Sequence, residues 1–136
     1  MIKKLILLSA MLLAISSCTE SQMAYENFVE GQDVYLECYE EGSRVPHWYS
    51  FDTSTEGEST GYHWPSSPMK RFELEDVFIK PTEITFKEGS DSTTYLNRKD
   101  LTMGYRWLYQ CYSIGFQNAK NNREKRFEEL TKNNKI

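Results

Sequence analysis

The sequence predicts an all-β protein, a small antiparallel meander closed as a barrel or sandwich, with a C-terminal α-helix. Three observations predict it. Short segments rich in β-branched and aromatic residues alternate apolar and polar positions, the period of a strand with one buried face. Clusters such as EEGS, STEGESTG, EGSD and RKD separate these segments and supply the turns. Only residues 116–136 change to the three-to-four spacing of a helix.

The elements follow in order. Segment 33–40, DVYLECYE, puts Val34, Leu36 and Cys38 on one strand face, and 46–52, PHWYSFD, makes its partner. Residues 52–61 are polar and contain Gly57 and Gly61, and they read as the long tip of a hairpin. Segment 71–80, RFELEDVFIK, carries Glu73 and Glu75 on its solvent side. Pro81 has no N–H to give a ladder, so it separates that strand from 82–88, TEITFKE. Two more strands are expected at 92–98 and 101–114, the second with Met103, Tyr105, Trp107, Tyr109 and Cys111 in one phase. Phe116, Ala119, Arg123, Phe127 and Leu130 then mark a helix that frays after Thr131; the stripe is thin, and disorder is the alternative. Residues 1–17 form a signal peptide, 18–31 a tether, 32–115 the β domain, and 116–136 the helix and a polar tail.

The first of these assignments rests on MIKKLILLSAMLLAISS. Lys3 and Lys4 form a basic start, and Leu5 to Ile15 an apolar core, the layout of a secretory signal. That core of about 11 residues is short of the roughly 20 that span a bilayer. Ile15, Ser16, Ser17 and Cys18 resemble the lipobox of bacterial lipoproteins: an aliphatic residue, two small residues, then cysteine. The resemblance implies a diacylglyceryl group on the Cys18 thiol and cleavage between Ser17 and Cys18. It also implies palmitate-type acylation of the freed amine, and attachment to the membrane through this lipid. Two or three acyl chains hold a protein stably where one does not. Thr19, where enterobacterial lipoproteins kept in the inner membrane carry Asp, implies the periplasmic face of the outer membrane.

The whole chain of 136 residues has net charge −4, and removing residues 1–17 takes away two lysines and no acid, leaving −6. Residues 120–136 hold six basic against three acidic side chains, so the body from 18 to 119, with 8 basic against 17 acidic, is near −9. Such a body excludes nucleic acid as a partner, because that binding depends on neutralising phosphate. With Cys18 taken by lipid, Cys38 and Cys111 remain of the three cysteines. Both lie in phase with the apolar faces of their strands, and two thiols in an oxidising envelope are expected to form a disulfide.

Catalytic patterns are thin. His47 and His63 are the only histidines and show no metal-ligand spacing; no phosphate loop, C-x-x-C or H-E-x-x-H occurs. No cofactor, no metal and no catalytic residue is expected. The segment PHWYSFDTSTEGESTGYHWPSSP, 46–68, is the distinctive one, with Trp48 at one end and Tyr62, His63 and Trp64 at the other. Tyr49 and Phe51 read as core. Tyr62 and Trp64, with Trp48 and His63, are the candidate binding residues, since aromatics beside a polar loop give large contact area at low entropic cost. Pro65 and Pro68 place Trp64 outside regular structure.

A lipobox with one cysteine in the first strand and one in the last resembles the small lipid-anchored inhibitors of C-type lysozyme, which are disulfide-tied β-barrels. Their Ser-Gly-x-x-Tyr and Lys-Gly loops have no counterpart here; GSDSTTY is a poor match. YLEC, ITF and TYLNRKDLTMGY are also similar to short exported bacterial and phage proteins, a likeness that implies a fold and no activity. The expectation is a lipid-anchored bacterial envelope protein acting as a non-enzymatic binding module for a protein or glycan. A periplasmic inhibitor of a host or cell-wall hydrolase is the alternative, and a hydrolase the third reading.

Overall fold

A computed structural model describes residues 26–66, 70–89, 91–104 and 108–133. The signal segment, Cys18 and residues 105–107 lie outside the described residues. The strands are β1 (Val34–Glu40), β2 (Pro46–Phe51), β3 (Gly57–Ser59), β4 (Gly61–Trp64), β5 (Phe72–Glu73), β6 (Glu75–Ile79), β7 (Glu83–Lys87), β8 (Thr93–Asn97), β9 (Thr102–Gly104) and β10 (Tyr109–Ile114). Helix α1 (Phe116–Asn133) follows. All pairings are antiparallel, in the order β3-β6-β7-β8-β9-β10-β1-β2-β4-β5, and the sheet curls into a half-barrel.

The two ends of that order are joined through the chain. β3 and β4 flank Thr60, and β5 and β6 flank Leu74. Ser59 opposes Val77 and Tyr62 opposes Glu73, while Leu74 N–H donates to the Gly61 carbonyl at 2.9 Å. The run 57–64 therefore pairs along the run 72–79, and β4 pairs β2 on its other side. Asp76, with φ 48°, sits in the irregularity between Glu75 and Phe78 that bends β6.

Residue alternation sets two cores. Facing the inside of the curl are Leu36 and Cys38 of β1, Tyr49 and Phe51 of β2, Ile84 and Phe86 of β7, with Leu96, Met103 and Cys111. Cys38 stands directly opposite Cys111, and the two form a disulfide with Cα atoms 4.0 Å apart. On the outer face, Tyr35, Trp48 and Trp64 pack under α1 through Ala119, with Phe28, Tyr62, Phe127 and Leu130 at the margin. The helical stripe expected from the sequence is the one used.

Three expectations are corrected. The stretch 52–61 is not all loop: β3 and the start of β4 lie within it, although 57–61 shows no apolar pattern. Gly61 is chosen by closeness, since a Cβ there would meet a Phe51 ring carbon at 2.7 Å. The single strand expected over 101–114 is seen as β9 and β10. Finally, part of the stretch 18–31 expected as a tether is packed: Phe28 and Val29 lie against the outer layer and the Glu26 carbonyl accepts from Arg123.

Candidate functional site

Two of the proposed binding residues are interior. Trp48 is 1 % exposed and Trp64 0 %, so neither offers a recognition surface. β4 runs through to Trp64, which opposes Trp48 directly, and its indole N–H donates to Ser50 Oγ at 3.0 Å. The Arg123 guanidinium lies 4.8 Å from the Phe28 ring centre, 5.0 Å from Trp64 and 5.9 Å from Trp48, a stack of cation on aromatic faces. Both faces of β2 and β4 are thus covered. The prolines flanking Ser66 do not release Trp64, because Ser66 is itself held by its hydroxyl on the Pro46 carbonyl. Tyr62 is half-buried against Trp64, with centroids 5.7 Å apart.

His63 has a different setting. Tyr49 is in phase with His47 on β2, and His63 stacks on Tyr49 at 4.4 Å with planes 2° apart. His47 Nδ1 and His63 Nε2 are 2.9 Å apart, with ring centres 5.1 Å apart, so the rings meet nitrogen to nitrogen. His63 Nδ1 bonds a Glu88 carboxylate oxygen, and the Tyr49 hydroxyl donates to the other at 3.3 Å. With Nδ1–H given to Glu88, neutral His63 accepts at Nε2 from His47 Nδ1–H. Burial, and then the charge of His63, lower the His47 pKa below its usual value; Glu88 opposes them. Burial, then Glu88, hold the Tyr49 phenol well above its usual value. Tyr49, Glu88, His63 and His47 thus form one hydrogen-bonded chain at the end of the curl where β2 begins and β4 and β7 end. The sequence did not reveal it because His47 and His63 meet only through the β2–β4 pairing, and β4 carries no strand signal before Tyr62.

A third place is open. On the outer face of β7–β9, away from α1 in the strand order, lies a groove of about 570 Å³. Tyr95, 48 % exposed, and Leu108, 55 % exposed, give it apolar surface. Asn97, Arg98, Lys99 and Thr102 give it polar groups, and Arg98 donates to the Lys80 carbonyl at 2.7 Å. The alternation over 92–98 predicts a strand and singles out neither Tyr95 nor the groove.

Among the described residues no group of three or more His, Cys, Asp or Glu is placed to hold a metal ion, and no helix is long and apolar enough to cross a membrane. Comparisons with protein-family models, curated proteins and solved structures found no match.

Proposed function

We propose that the protein is a lipid-anchored bacterial envelope protein whose β domain is a non-enzymatic binding module for a protein or glycan. The groove on β7–β9 carries the reading. Its volume falls in the usual range for ligand sites, and exposed aromatic and aliphatic side chains stand beside hydrogen-bonding groups. The membrane attachment is supported by the lipobox-like ISSC and the signal layout before it. The packed chain enters on the helix side through Phe28 and Val29, which leaves the groove on the opposite flank.

The test uses purified Cys18→Ser protein, free of lipid, against envelope extracts and against sedimenting cell-wall glycan. Tyr95→Ala is expected to weaken capture by roughly 1–2 kcal/mol with the melting temperature kept, because Tyr95 is exposed. Capture unchanged by Tyr95→Ala and Leu108→Ser moves recognition off this face. A parallel lysozyme assay addresses the inhibitor alternative, which the disulfide-tied β architecture favours: inhibition lost in the same variants transfers the groove to that role.

A further inference from the structure

We propose that the ligand of the groove is a single β-1,4-linked glycan chain, lying across the strands over Phe78, Tyr95 and Leu108. This rests on the groove reading and narrows it to one class of partner.

Cross-strand register carries the inference. On the outer face Phe78 opposes Thr85, Thr85 opposes Tyr95, and Tyr95 opposes Gly104. Leu108 stands one residue before Tyr109, which opposes Met103, so it extends the same row on the β10 side. The row therefore runs large, small, large, small, large. Phe78, Tyr95 and Leu108 are 38 %, 48 % and 55 % exposed, whereas Thr85 is 6 % exposed and Gly104 has no side chain. Alternation puts the large side chains outside, because Val77 and Ile79, Ile84 and Phe86, and Leu96 and Met103 take the inward positions beside them.

The large side chains recur on every second strand. At about 4.8 Å per strand the interval is roughly 10 Å, the length of two sugar units in an extended β-1,4-linked chain. Every second ring of such a chain turns the same apolar face to one side, so Phe78 and Tyr95 can each stack on one. The sheet also turns by roughly 20–25° per strand. A separate chain can follow that turn, and the flat face of a crystalline glycan cannot.

Polar groups run alongside. Asn97 Oδ1 accepts Lys99 N–H at 2.8 Å and Asp100 N–H at 3.2 Å, which fixes the amide and leaves its NH2 group to donate to a sugar hydroxyl. Next to Phe78, Glu58 and Asp76 line a depression of about 220 Å³ and offer acceptors. Charges along the row are mixed: Asp76 pairs with Lys87 at 3.6 Å and Glu83 with Lys80 at 3.5 Å, while Arg98 and Lys99 line the groove. A polyanion or a polycation meets like charge on such a face, and a neutral polyol does not.

Calorimetric titration of the full chain carrying Cys18→Ser tests this with cellohexaose, N-acetylchitohexaose and, as the helical α-1,4-linked control, maltohexaose. One saturable site is expected for a β-linked hexamer; which of the two binds assigns the sugar. The disaccharide of that sugar, too short to reach from Phe78 to Tyr95, should bind at least about tenfold more weakly, as should the hexamer to Tyr95→Ala or Phe78→Ala. Both side chains are exposed, so the melting temperature should be kept. Amide NMR of the chain without these changes serves where a variant fails to fold, with shifts expected at Thr85 and Gly104. Maltohexaose binding as tightly as the β-linked hexamers, equal affinity for disaccharide and hexamer, or Phe78→Ala without effect would each overturn the assignment. Absence of glycan binding, with Tyr95-dependent capture of an envelope protein intact, overturns it and keeps the groove reading. Absence of any Tyr95 dependence in either assay overturns both.

Discussion

At the scale of single residues, His47 couples the fold to pH. It meets His63 nitrogen to nitrogen at 2.9 Å. The lowered pKa of His47 means that below its unfolded value, about 6.5, the unfolded chain binds more protons than the folded one. Stability contributed here is therefore complete above that value and is lost as pH falls towards the folded pKa. His63, Glu88, Tyr49 and Tyr109 face His47, and Glu37 opposes the trend because burial raises its pKa. The difference between wild type and His47→Gln isolates the effect: in thermal melts from about pH 7.5 to 5, wild type should lose more stability than the variant. Parallel curves would remove the coupling. Trp64 gives a second residue-scale prediction. Its indole fills the layer under α1, so Trp64→Ala should cost about 3–5 kcal/mol, read by denaturant unfolding. A change under 1 kcal/mol would contradict its placement.

Elements were legible where one face is apolar and the other wet. β1, β2, β7, β8 and α1 lie where alternation and three-to-four spacing put them, because their buried residues recur at the expected period. The signal vanished over 57–61, where the ladder is held by backbone pairing and by Gly61 lying under Phe51. The prolines misled at Trp64, since β4 continues to that residue, and the polar loop misled at Trp48, since a helix distant in sequence covers both rings. The groove is lined by residues that the pairing of β7, β8 and β9 brings together, and no local pattern encodes that. The disulfide was readable from phase, and it joins β1 to β10 across a separation of 73 residues. Closing a loop of that length is worth about 4 kcal/mol in the chain-entropy model. Cys38→Ala with Cys111→Ala should lower unfolding free energy by that order, measured in urea, and mild reductant should do the same to wild type only. Equal stability of the two proteins would show that the pairing between β1 and β10 needs no staple.

For the whole molecule, the decisive question is how far the domain could move from the proposed anchor. Phe28 and Val29 are packed and the Glu26 carbonyl is bonded to Arg123, so residues 18–25 alone connect the proposed lipid to the fold. Even fully extended at about 3.4 Å per residue, they reach roughly 27 Å. The β domain would then work within about its own width of the membrane surface, with an acidic body that an anionic leaflet does not attract. Everything in that geometry hangs on Cys18, because no other side chain near the end of the apolar core is a thiol. Cys18→Ser should leave the precursor unprocessed or the product soluble, and labelled palmitate should enter wild type and not the variant. A spacer of Gly and Ser inserted between Ser21 and Gln22 should preserve labelling while extending the reach, so any activity that depends on nearness to the membrane should fall with spacer length. Equal labelling of wild type and Cys18→Ser would end the lipid-anchored reading.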